Sequence, residues 1–166
     1  VKLIQLGHSS IGFVTGRKGT ATTRRRLDGF LSAMKDANLT VPDNFILEGN
    51  YEYRSGLDAG ESLLQQAQRP TAIFASNDEM AAGVIAAAHK SGVSVPDELS
   101  IAGFDDSVSA TVVWPQLTTV RQPIKEMAAA AVNMVIKQCR GQTKDELTAR
   151  KLPIELIMRE STAPKS

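Results

Sequence analysis

Three polar side chains stand at or just beyond the ends of predicted strands, where they can converge on one small ligand. They are Arg26, Asn77 and Asp105. A guanidinium, an amide and a carboxylate together supply the donors and acceptors needed to bind vicinal hydroxyl groups or the edge of a heterocycle. Tyr51 adds an aromatic ring against which the apolar face of a sugar can stack. The spacing leaves a second interpretation open, in which Arg26 forms a surface ion pair with Asp28 or Glu79.

Metal or phosphate chemistry finds little support in the same residues. Asp105-Asp106 follows a predicted strand, but a phosphoacceptor pocket requires further acids and a lysine at other strand ends, so a metal site is not expected. The acids of Asn77-Asp78-Glu79 are equally explained as charges that complement a helix N-terminus. The loop at residues 16–20 matches neither G-x-x-x-x-G-K-[ST] nor G-x-G-x-x-G, and we interpret it as solvated.

An enzyme is poorly supported, and no cofactor is expected. There is no G-x-S-x-G turn, and the two histidines, His8 and His89, are too far apart in sequence to suggest a nucleophile–base pair. Each of them is expected to be a solvated or capping residue. The single cysteine, Cys139, excludes an internal disulfide and cannot build a thiolate metal site.

The composition is that of an ordinary globular domain. The chain has 166 residues, of which 42% are hydrophobic and 22% charged, enough for the core of one domain or of one domain and part of another. Its 19 Lys+Arg and 18 Asp+Glu give a net charge of +1, so charge gives no sign of a nucleic-acid interface. No apolar run approaches the roughly 20 residues of a membrane span.

Strands and helices alternate along the first two thirds of the chain. Apolar runs predict strands over residues 10–15, 45–47, 71–75 and 99–104. Helical spacing of apolar residues predicts helices over about 22–37, 57–67 and 76–90, the last starting with a capping box of Ser76 and Glu79. Four strands joined through helices require parallel pairing, so we predict an α/β fold whose parallel sheet has helices on both faces. In such a sheet ligands bind beyond the carboxyl ends of the strands.

The pattern changes after Pro115. Residues 117–121 form a short extended stretch, a helix begins with Pro123 and ends at Gly141, a polar loop follows, and residues 152–158 form a strand. The apolar stripe of this helix consists of Ile124, Met127, Ala131, Met134 and Val135. Residues 1–7 have the character of the last turns of a helix, so upstream sequence is expected to be missing.

Five stretches resemble, in order and at the same spacing, the lactose/galactose-repressor (LacI/GalR) family of bacterial transcription regulators. They are residues 7–16, 26–30, 70–81, 95–106 and 115–123. Each stretch is weak on its own, but together they extend over essentially the whole chain. The resemblance implies an effector domain similar to a periplasmic sugar-binding protein, with two α/β lobes, three crossovers and the ligand between the lobes.

The resemblance also implies how the chain divides and which residues bind the effector. Residues 1–121 would form the carboxy-side lobe, residues 122–158 a helix and a strand of the amino-side lobe, and residues 159–166 the return to the first lobe. The residues that match effector-contacting positions are Arg26, Asn77 and Asp105, and those that match less constant positions are Thr22, Tyr51 and Gln122. The family's helix-turn-helix head and most of its amino-side lobe have no counterpart here.

The expected function is therefore that of a cytoplasmic transcription regulator that binds a small effector, a sugar or a sugar derivative. It would contact operator DNA only through a head outside this chain, and no contact with a membrane is expected. The alternative is a periplasmic sugar-binding protein of a transport system, because both classes use one fold. Residues 92–106 and 117–120 resemble regulators rather than transport proteins.

The family forms dimers side by side, and the sequence holds apolar residues suited to such a contact. They are Met80, Ala81, Val84 and Ala88 in the helix after Asn77, and Val112, Val113 and Trp114 in the loop before Pro115. Since not all of these can face one sheet, part of them is expected to form a homodimer contact. Packing within the core is the alternative.

Overall fold

The protein is described here by a computed structural model that covers residues 1–141 and 150–165. Its strands are β1 (Ile11–Thr15), β2 (Ile46–Glu48), β3 (Ala72–Ala75), β4 (Ser100–Ala102), β5 (Thr119–Arg121) and β6 (Glu155–Ile157). Its helices are α1 (Lys2–Gln5), α2 (Ala21–Asp36), α3 (Tyr53–Leu64), α4 (Asp78–Lys90), α5 (Ser109–Val112) and α6 (Ile124–Cys139). The polar loop predicted after Gly141 lies outside the described residues.

Four of the strands form a parallel sheet in the order β2-β1-β3-β4. Phe13 of β1 lies opposite Ile46 of β2 on one side and opposite Phe74 of β3 on the other. Each connection between these strands contains a helix, with α2, α3 and α4 following in chain order, which confirms the predicted α/β fold. Strands β5 and β6 pair antiparallel in a separate two-stranded ribbon, in which Thr119 lies opposite Ile157.

One face of the sheet is covered by α3 and α4, whose small residues bring the two helices into backbone contact. A Cβ atom added at Gly56 of α3 would lie 2.1 Å from the carbonyl oxygen of Met80 in α4. Helix α4 is thus enclosed between the sheet and α3, and Met80, Ala81, Val84 and Ala88 are fully buried. The expectation that part of these four residues is left for a dimer contact is wrong, because α3 covers the side of α4 that the sheet does not.

The other face is covered by α1 and α2. Phe13 of β1 stacks on Phe30 of α2 with the ring centroids 4.8 Å apart, and Met34 is buried in the same cluster. Burying a side chain of this size stabilises a fold by about 1.5–3 kcal/mol, so these contacts fix α2 on the sheet. Because Arg26 lies one helical turn before Phe30, they also set where Arg26 projects.

Helix α4 begins differently from the prediction. Its cap is Asn77, whose Oδ1 accepts a hydrogen bond from the amide of Met80 at 3.0 Å. The predicted capping box of Ser76 and Glu79 is wrong, because the ladder between β1 and β3 continues past the apolar run. The amide of Ser76 still donates to the carbonyl of Val14 at 2.9 Å, so the chain turns into the helix one residue later than the pattern indicates.

His8 is buried rather than solvated, contrary to expectation. Its Nε2 lies 3.0 Å from the hydroxyl of Ser100, and its Nδ1 lies 3.0 Å from the hydroxyl of Thr71. The carbonyl oxygen of Ala163 is 3.1 Å from the same Nε2. Burial lowers the pKa of His8 below its usual value of 6.5. The side chain joins the start of β1 to the sheet and to the segment after β6, partners too distant in sequence for a local pattern to indicate.

A short helix that was not predicted, α5, lies between β4 and β5. Its Ala110 is buried in the cluster that contains α4. Beyond this anchor, Val112 is 73% and Trp114 75% exposed, and the Trp114 ring centroid is 6.1 Å from that of His89 at the end of α4. These two residues of the predicted dimer contact remain on the surface.

Helix α6 makes few contacts with the main sheet. It begins at Ile124, with Pro123 as its cap rather than its first residue, and none of its residues is buried. On its apolar stripe Ile124 and Val135 are exposed, and the described residues provide no surface that covers them. Within the described part of the chain, no helix combines the length and the apolar character that a membrane span requires.

Candidate ligand-binding site

An open concavity of about 720 Å³ lies beyond the carboxyl ends of the parallel strands. All six residues predicted for the effector site line it: Thr22, Arg26, Tyr51, Asn77, Asp105 and Gln122. The structure thus brings together side chains from five separate connections of the fold. It adds four residues that were not named in the predicted site: Thr20, Asp106, Ser107 and Ile124. Asp106 and Ser107 could have been predicted as site residues because they follow a strand directly. Ile124 could not be found in this way, because it belongs to a helix outside the main sheet.

Arg26 projects from α2 into the concavity and is held on three sides. Its Nη2 lies 3.3 Å from Oδ1 of Asp105, and its Nη1 donates to the carbonyl oxygen of Ser76. The guanidinium carbon lies 4.0 Å from the centroid of the Phe104 ring, a cation–π contact. The alternative of a surface ion pair with Asp28 or Glu79 is wrong, since the guanidinium turns inward to these partners. A planar fork held this firmly presents its remaining N–H groups in a defined direction.

Asp105 is the acceptor at the centre of this group. Its Oδ1 accepts a hydrogen bond from Nε2 of Gln122 at 2.7 Å in addition to the contact with Arg26. Burial raises the pKa of Asp105 above its usual value, while Arg26 and Gln122 act in the opposite direction. The side chain is 36% exposed, so it remains open to a ligand in the concavity.

Asn77 serves the fold as well as the site. Its Oδ1 caps α4, and its Nδ2 donates to the carbonyl oxygen of Tyr51 at 2.9 Å. The amide therefore links the ends of two connections, one after β2 and one after β3. An amide has four hydrogen-bonding positions, so one donor and one acceptor position remain for a ligand.

Tyr51 closes one side of the concavity in an unusual backbone conformation. Its φ is +74°, in the left-handed region that non-glycine residues adopt at some cost. The phenol oxygen lies 2.8 Å from the hydroxyl of Thr23. A Cβ atom at Gly16 would lie 1.9 Å from the tyrosine ring, so the ring packs directly on the glycine backbone after β1. Position 16 must therefore be glycine for Tyr51 to occupy this place.

Asp78 holds the loop after β4 against β5 from below the concavity. Its carboxylate accepts hydrogen bonds from the hydroxyl of Thr119 at 2.5 Å and from the amide of Ser107 at 2.7 Å. Burial raises its pKa, and these hydrogen bonds oppose that shift. The interpretation of Asp78 as a helix N-terminal charge accounts for only part of its contacts. In the described part of the chain, no three His, Cys, Asp or Glu side chains are grouped to hold a metal ion.

A second, apolar cavity of about 440 Å³ lies behind Arg26, between α1, α2 and the ribbon. Its walls include Ile4, Phe30, Phe104 and Leu156. Such walls offer a ligand hydrophobic contacts but little to orient a polar group. The hydrogen-bonding groups needed for specificity lie in the first concavity.

A parallel α/β sheet with a polar concavity at the carboxyl ends of its strands defines a ligand-binding domain. The sequence matches the periplasmic binding protein-like domain family over residues 2–162. The chain belongs to this family, and the solved structures that it resembles include LacI-family transcriptional regulators.

Individual relatives agree with this assignment. Catabolite control protein A of Priestia megaterium is 40% identical over 161 residues, which cover 96% of this chain and 48% of that protein. A regulatory protein of the LacI family from Chloroflexus aggregans superposes with a TM-score of 0.90 at 33% identity, covering 98% of this chain and 58% of that one. A sugar-binding transcriptional regulator of the LacI family from Escherichia coli, solved with phosphate, gives 0.89 at 32% identity, with 98% and 58% covered.

The names of these proteins describe regulators, so the comparisons favour a transcription regulator over a binding protein of a transport system. The chain spans about half the length of the curated relatives it matches.

Proposed function

We propose that this chain is the effector-binding part of a LacI-family transcription regulator, and that its effector is a small, uncharged, hydroxyl-bearing molecule such as a sugar or sugar derivative. The observation that carries the proposal is the Arg26–Asp105–Gln122 group at the centre of the concavity. The name of the Escherichia coli neighbour, which describes sugar binding by a LacI-family regulator, supports the same class of ligand.

Charge balance in the concavity favours an uncharged ligand. The guanidinium of Arg26 is already opposed by the carboxylate of Asp105, so neither charge is free to recruit an ionic partner. A ligand hydroxyl can donate to Asp105 while accepting from Arg26, and it can replace the amide of Gln122 without leaving a buried group unpaired. Thr22, Tyr51 and Asn77 surround these groups, and Ile124 supplies an apolar contact for a sugar face.

The remaining assignments are part of the same proposal, and membership of the family supports them. Residues 1–121 are assigned to one lobe, residues 122–158 to the second lobe, and residues 159–166 to the return. The regulator acts in the cytoplasm without catalytic activity or a cofactor, and it reaches operator DNA through a segment outside this chain. A homodimer is supported by the exposure of Val112 and Trp114 at one surface, where burial of two large apolar side chains would stabilise a two-fold contact.

Titration of the full-length protein tests the proposal. Calorimetry and thermal shift are run with D-glucose, D-galactose, D-ribose, cellobiose and trehalose, and binding to DNA selected from a random pool is then measured with and without the sugar that binds. We expect one sugar to bind and to change DNA affinity. Asp105→Asn is expected to weaken binding by about 2–5 kcal/mol, whereas Asp58→Asn, at an exposed surface pair with Arg54 on α3, serves as the matched control. A sugar that binds without any effect on DNA, or a protein that selects no DNA, would favour the transport alternative.

A further inference from the structure

Asp106 follows Asp105 directly, but its carboxylate is used in a different way. Nε of Arg121 lies 2.6 Å from Oδ2 of Asp106, and Nη2 of Arg159 lies 2.6 Å from Oδ1. Both oxygens thus accept a charge-assisted hydrogen bond. The side chains of Asp106 and Arg159 are only 9% and 13% exposed. Burial alone would raise the pKa of Asp106, but the two arginines outweigh it and the pKa is lowered.

The two arginines belong to two different segments of the chain, strand β5 and the segment that follows β6. Arg121 is the last residue of β5, and Arg159 follows the end of β6 by two residues. Arg159 also donates from Nη1 to the carbonyl of Leu117 at 2.8 Å, and its amide donates to Oγ1 of Thr118 at 3.0 Å. Asp106 therefore ties both segments to the loop that follows β4.

The same loop and the same strand are joined a second time at the concavity. The amide of Asp105 donates to the carbonyl of Val120 at 2.9 Å, and the carboxylate of Asp105 accepts from Gln122. Both aspartates have positive φ, +118° at Asp105 and +56° at Asp106. Non-glycine residues hold such conformations only when surrounding contacts over-determine them. The hydrogen bonds of Asp105 with Val120 and Gln122, together with the ion pairs of Asp106, therefore keep the Asp105 carboxylate opposite Arg26.

We propose that Asp106 is a positioning residue of the ligand site, which fixes the conformation of Asp105 by anchoring the loop to Arg121 and Arg159. This inference rests on the proposed function of the concavity. Asp106 is only 9% exposed and each of its oxygens is held by an arginine, so we expect it to act through Asp105 and not as a ligand contact. Loss of the anchor releases the loop from β5 and moves the Asp105 carboxylate away from Arg26.

Hydrogen exchange of the full-length protein, measured without any ligand, tests the anchoring. Asp106→Asn keeps the size of the side chain and removes the charge that both arginines share. The amide of Asp105 donates to the carbonyl of Val120 in β5, and the amide of Gly103 donates to the carbonyl of Thr118 just before β5. Both amides are expected to exchange about tenfold faster in this variant. The amides of β3 are expected to keep their protection, so that a local effect is separated from a loss of global stability. Unchanged exchange at Asp105 overturns the proposal.

Glu155→Gln provides the matched control. Glu155 is an exposed carboxylate whose contact with Arg121 is 3.3 Å long, so Glu155→Gln removes a negative charge beside the same arginine and leaves Asp106 unchanged. We expect no change of exchange at Asp105 in this variant. Acceleration equal to that of Asp106→Asn would mean that net charge near Arg121 matters and the anchor does not, which also overturns the proposal.

Calorimetry with the five sugars named above tests whether Asp106 acts through Asp105. We expect Asp106→Asn to weaken the binding of the sugar that binds by about tenfold, within the usual range for coupled positions. Combined with Asp105→Asn, it is expected to add nothing to the loss from Asp105→Asn alone. Additive losses would show that Asp106 contacts the ligand itself, and the proposal would fail. If the unchanged protein binds none of the five sugars, the proposed function fails in that form, and the exchange result alone decides the role of Asp106.

Arg121→Gln replaces Asp106→Asn if the latter does not fold. This variant removes one of the two cationic donors to Asp106, and Arg121 itself is 50% exposed. The carboxylate of Asp106 keeps Arg159 as its partner, so no buried charge is left unpaired. A smaller acceleration of exchange at Asp105, in the same direction, is expected. Full protection of Asp105 in this variant would contradict the anchoring.

Discussion

Alanine at Gly56 is expected to destabilise the chain, whereas the same substitution at Gly29 is expected to stabilise it. Both glycines lie inside helices, Gly56 in α3 and Gly29 in α2. In an open position, alanine gains up to about 1 kcal/mol over glycine because it restricts the unfolded chain and favours helix. The two sites differ in what the new methyl group meets. A Cβ at Gly29 has no atom within 4 Å, whereas one at Gly56 would lie 2.1 Å from the carbonyl oxygen and 2.5 Å from Cα of Met80.

The cost at Gly56 follows from these distances. The atoms in the way are backbone, which cannot rotate aside, so α3 and α4 must separate by roughly 1 Å to restore an ordinary contact. Overpacking of this kind costs about 1–3 kcal/mol, which exceeds the helix gain. For a chain of this size 1 kcal/mol corresponds to about 2–4 °C in the melting temperature. We expect Gly56→Ala to melt several degrees lower and Gly29→Ala a few degrees higher than the unchanged chain.

Urea titration and thermal melts of the three proteins, followed by far-ultraviolet circular dichroism, measure both effects. The separation of α3 and α4 also displaces the start of α4, so binding at the concavity is expected to weaken in Gly56→Ala alone. Equal stability of Gly56→Ala and the unchanged chain would refute backbone contact between these helices. A loss of stability in Gly29→Ala would refute the open position of that residue.

Three further outcomes follow from the structure. Stability measured by urea titration is expected to fall as the pH drops from 7.5 through 6.5 towards 5.5, because burial places the pKa of His8 below 6.5 and the unfolded chain takes up the proton first; His8→Gln should remove this slope, and an unchanged slope would contradict the assignment. In the full-length protein, calorimetry should show that Asp105→Ala costs roughly 2–5 kcal/mol of sugar affinity and Tyr51→Ala about 1 kcal/mol, and the reverse order would indicate a mainly apolar ligand. Sedimentation analysis is expected to show a dimer that Trp114→Glu converts to a monomer, since a charge would enter an apolar contact; a dimer that survives the change would place the interface elsewhere.

The sheet could be predicted from the sequence because three of its four strands, β1, β3 and β4, are largely buried and helices connect the strands. In parallel sheets both faces are covered, so strands such as Ile11–Thr15 are apolar throughout and stand out from the polar connections. The rule that polar groups after such strands meet at one edge then placed Arg26, Asn77 and Asp105 together. Tyr51 was added to this group as an aromatic wall because of its residue type, whereas Thr22 and Gln122 came from the family resemblance.

The errors share one physical origin, which is contact between residues far apart in the chain. Met80 and Val84 were candidates for a dimer contact because not all apolar residues of α4 can face the sheet, yet Gly56 lets α3 cover its other side. His8 was expected to be solvated or to cap a helix, because its partners, Thr71 just before β3 and Ser100 in β4, are far from it along the chain. A local pattern shows which side chains are apolar or polar. Which elements pack against them depends on how closely two backbones can approach, and this is set by small residues elsewhere in the chain.

Asp105 and Asp106 show how far the same limit reaches into the site. As neighbours after a strand they have the same chemistry and the same local setting, and only the family resemblance distinguished Asp105 from Asp106 as a ligand contact. The positive φ of both residues sends one carboxylate to Arg26 and Gln122 and the other to Arg121 and Arg159. Which of the two carboxylates faces the concavity thus depends on two arginines that lie 15 and 53 positions after Asp106 in the chain. When two acidic residues follow a strand, the cationic side chains that pair with each of them must therefore be located before either carboxylate is assigned to ligand binding.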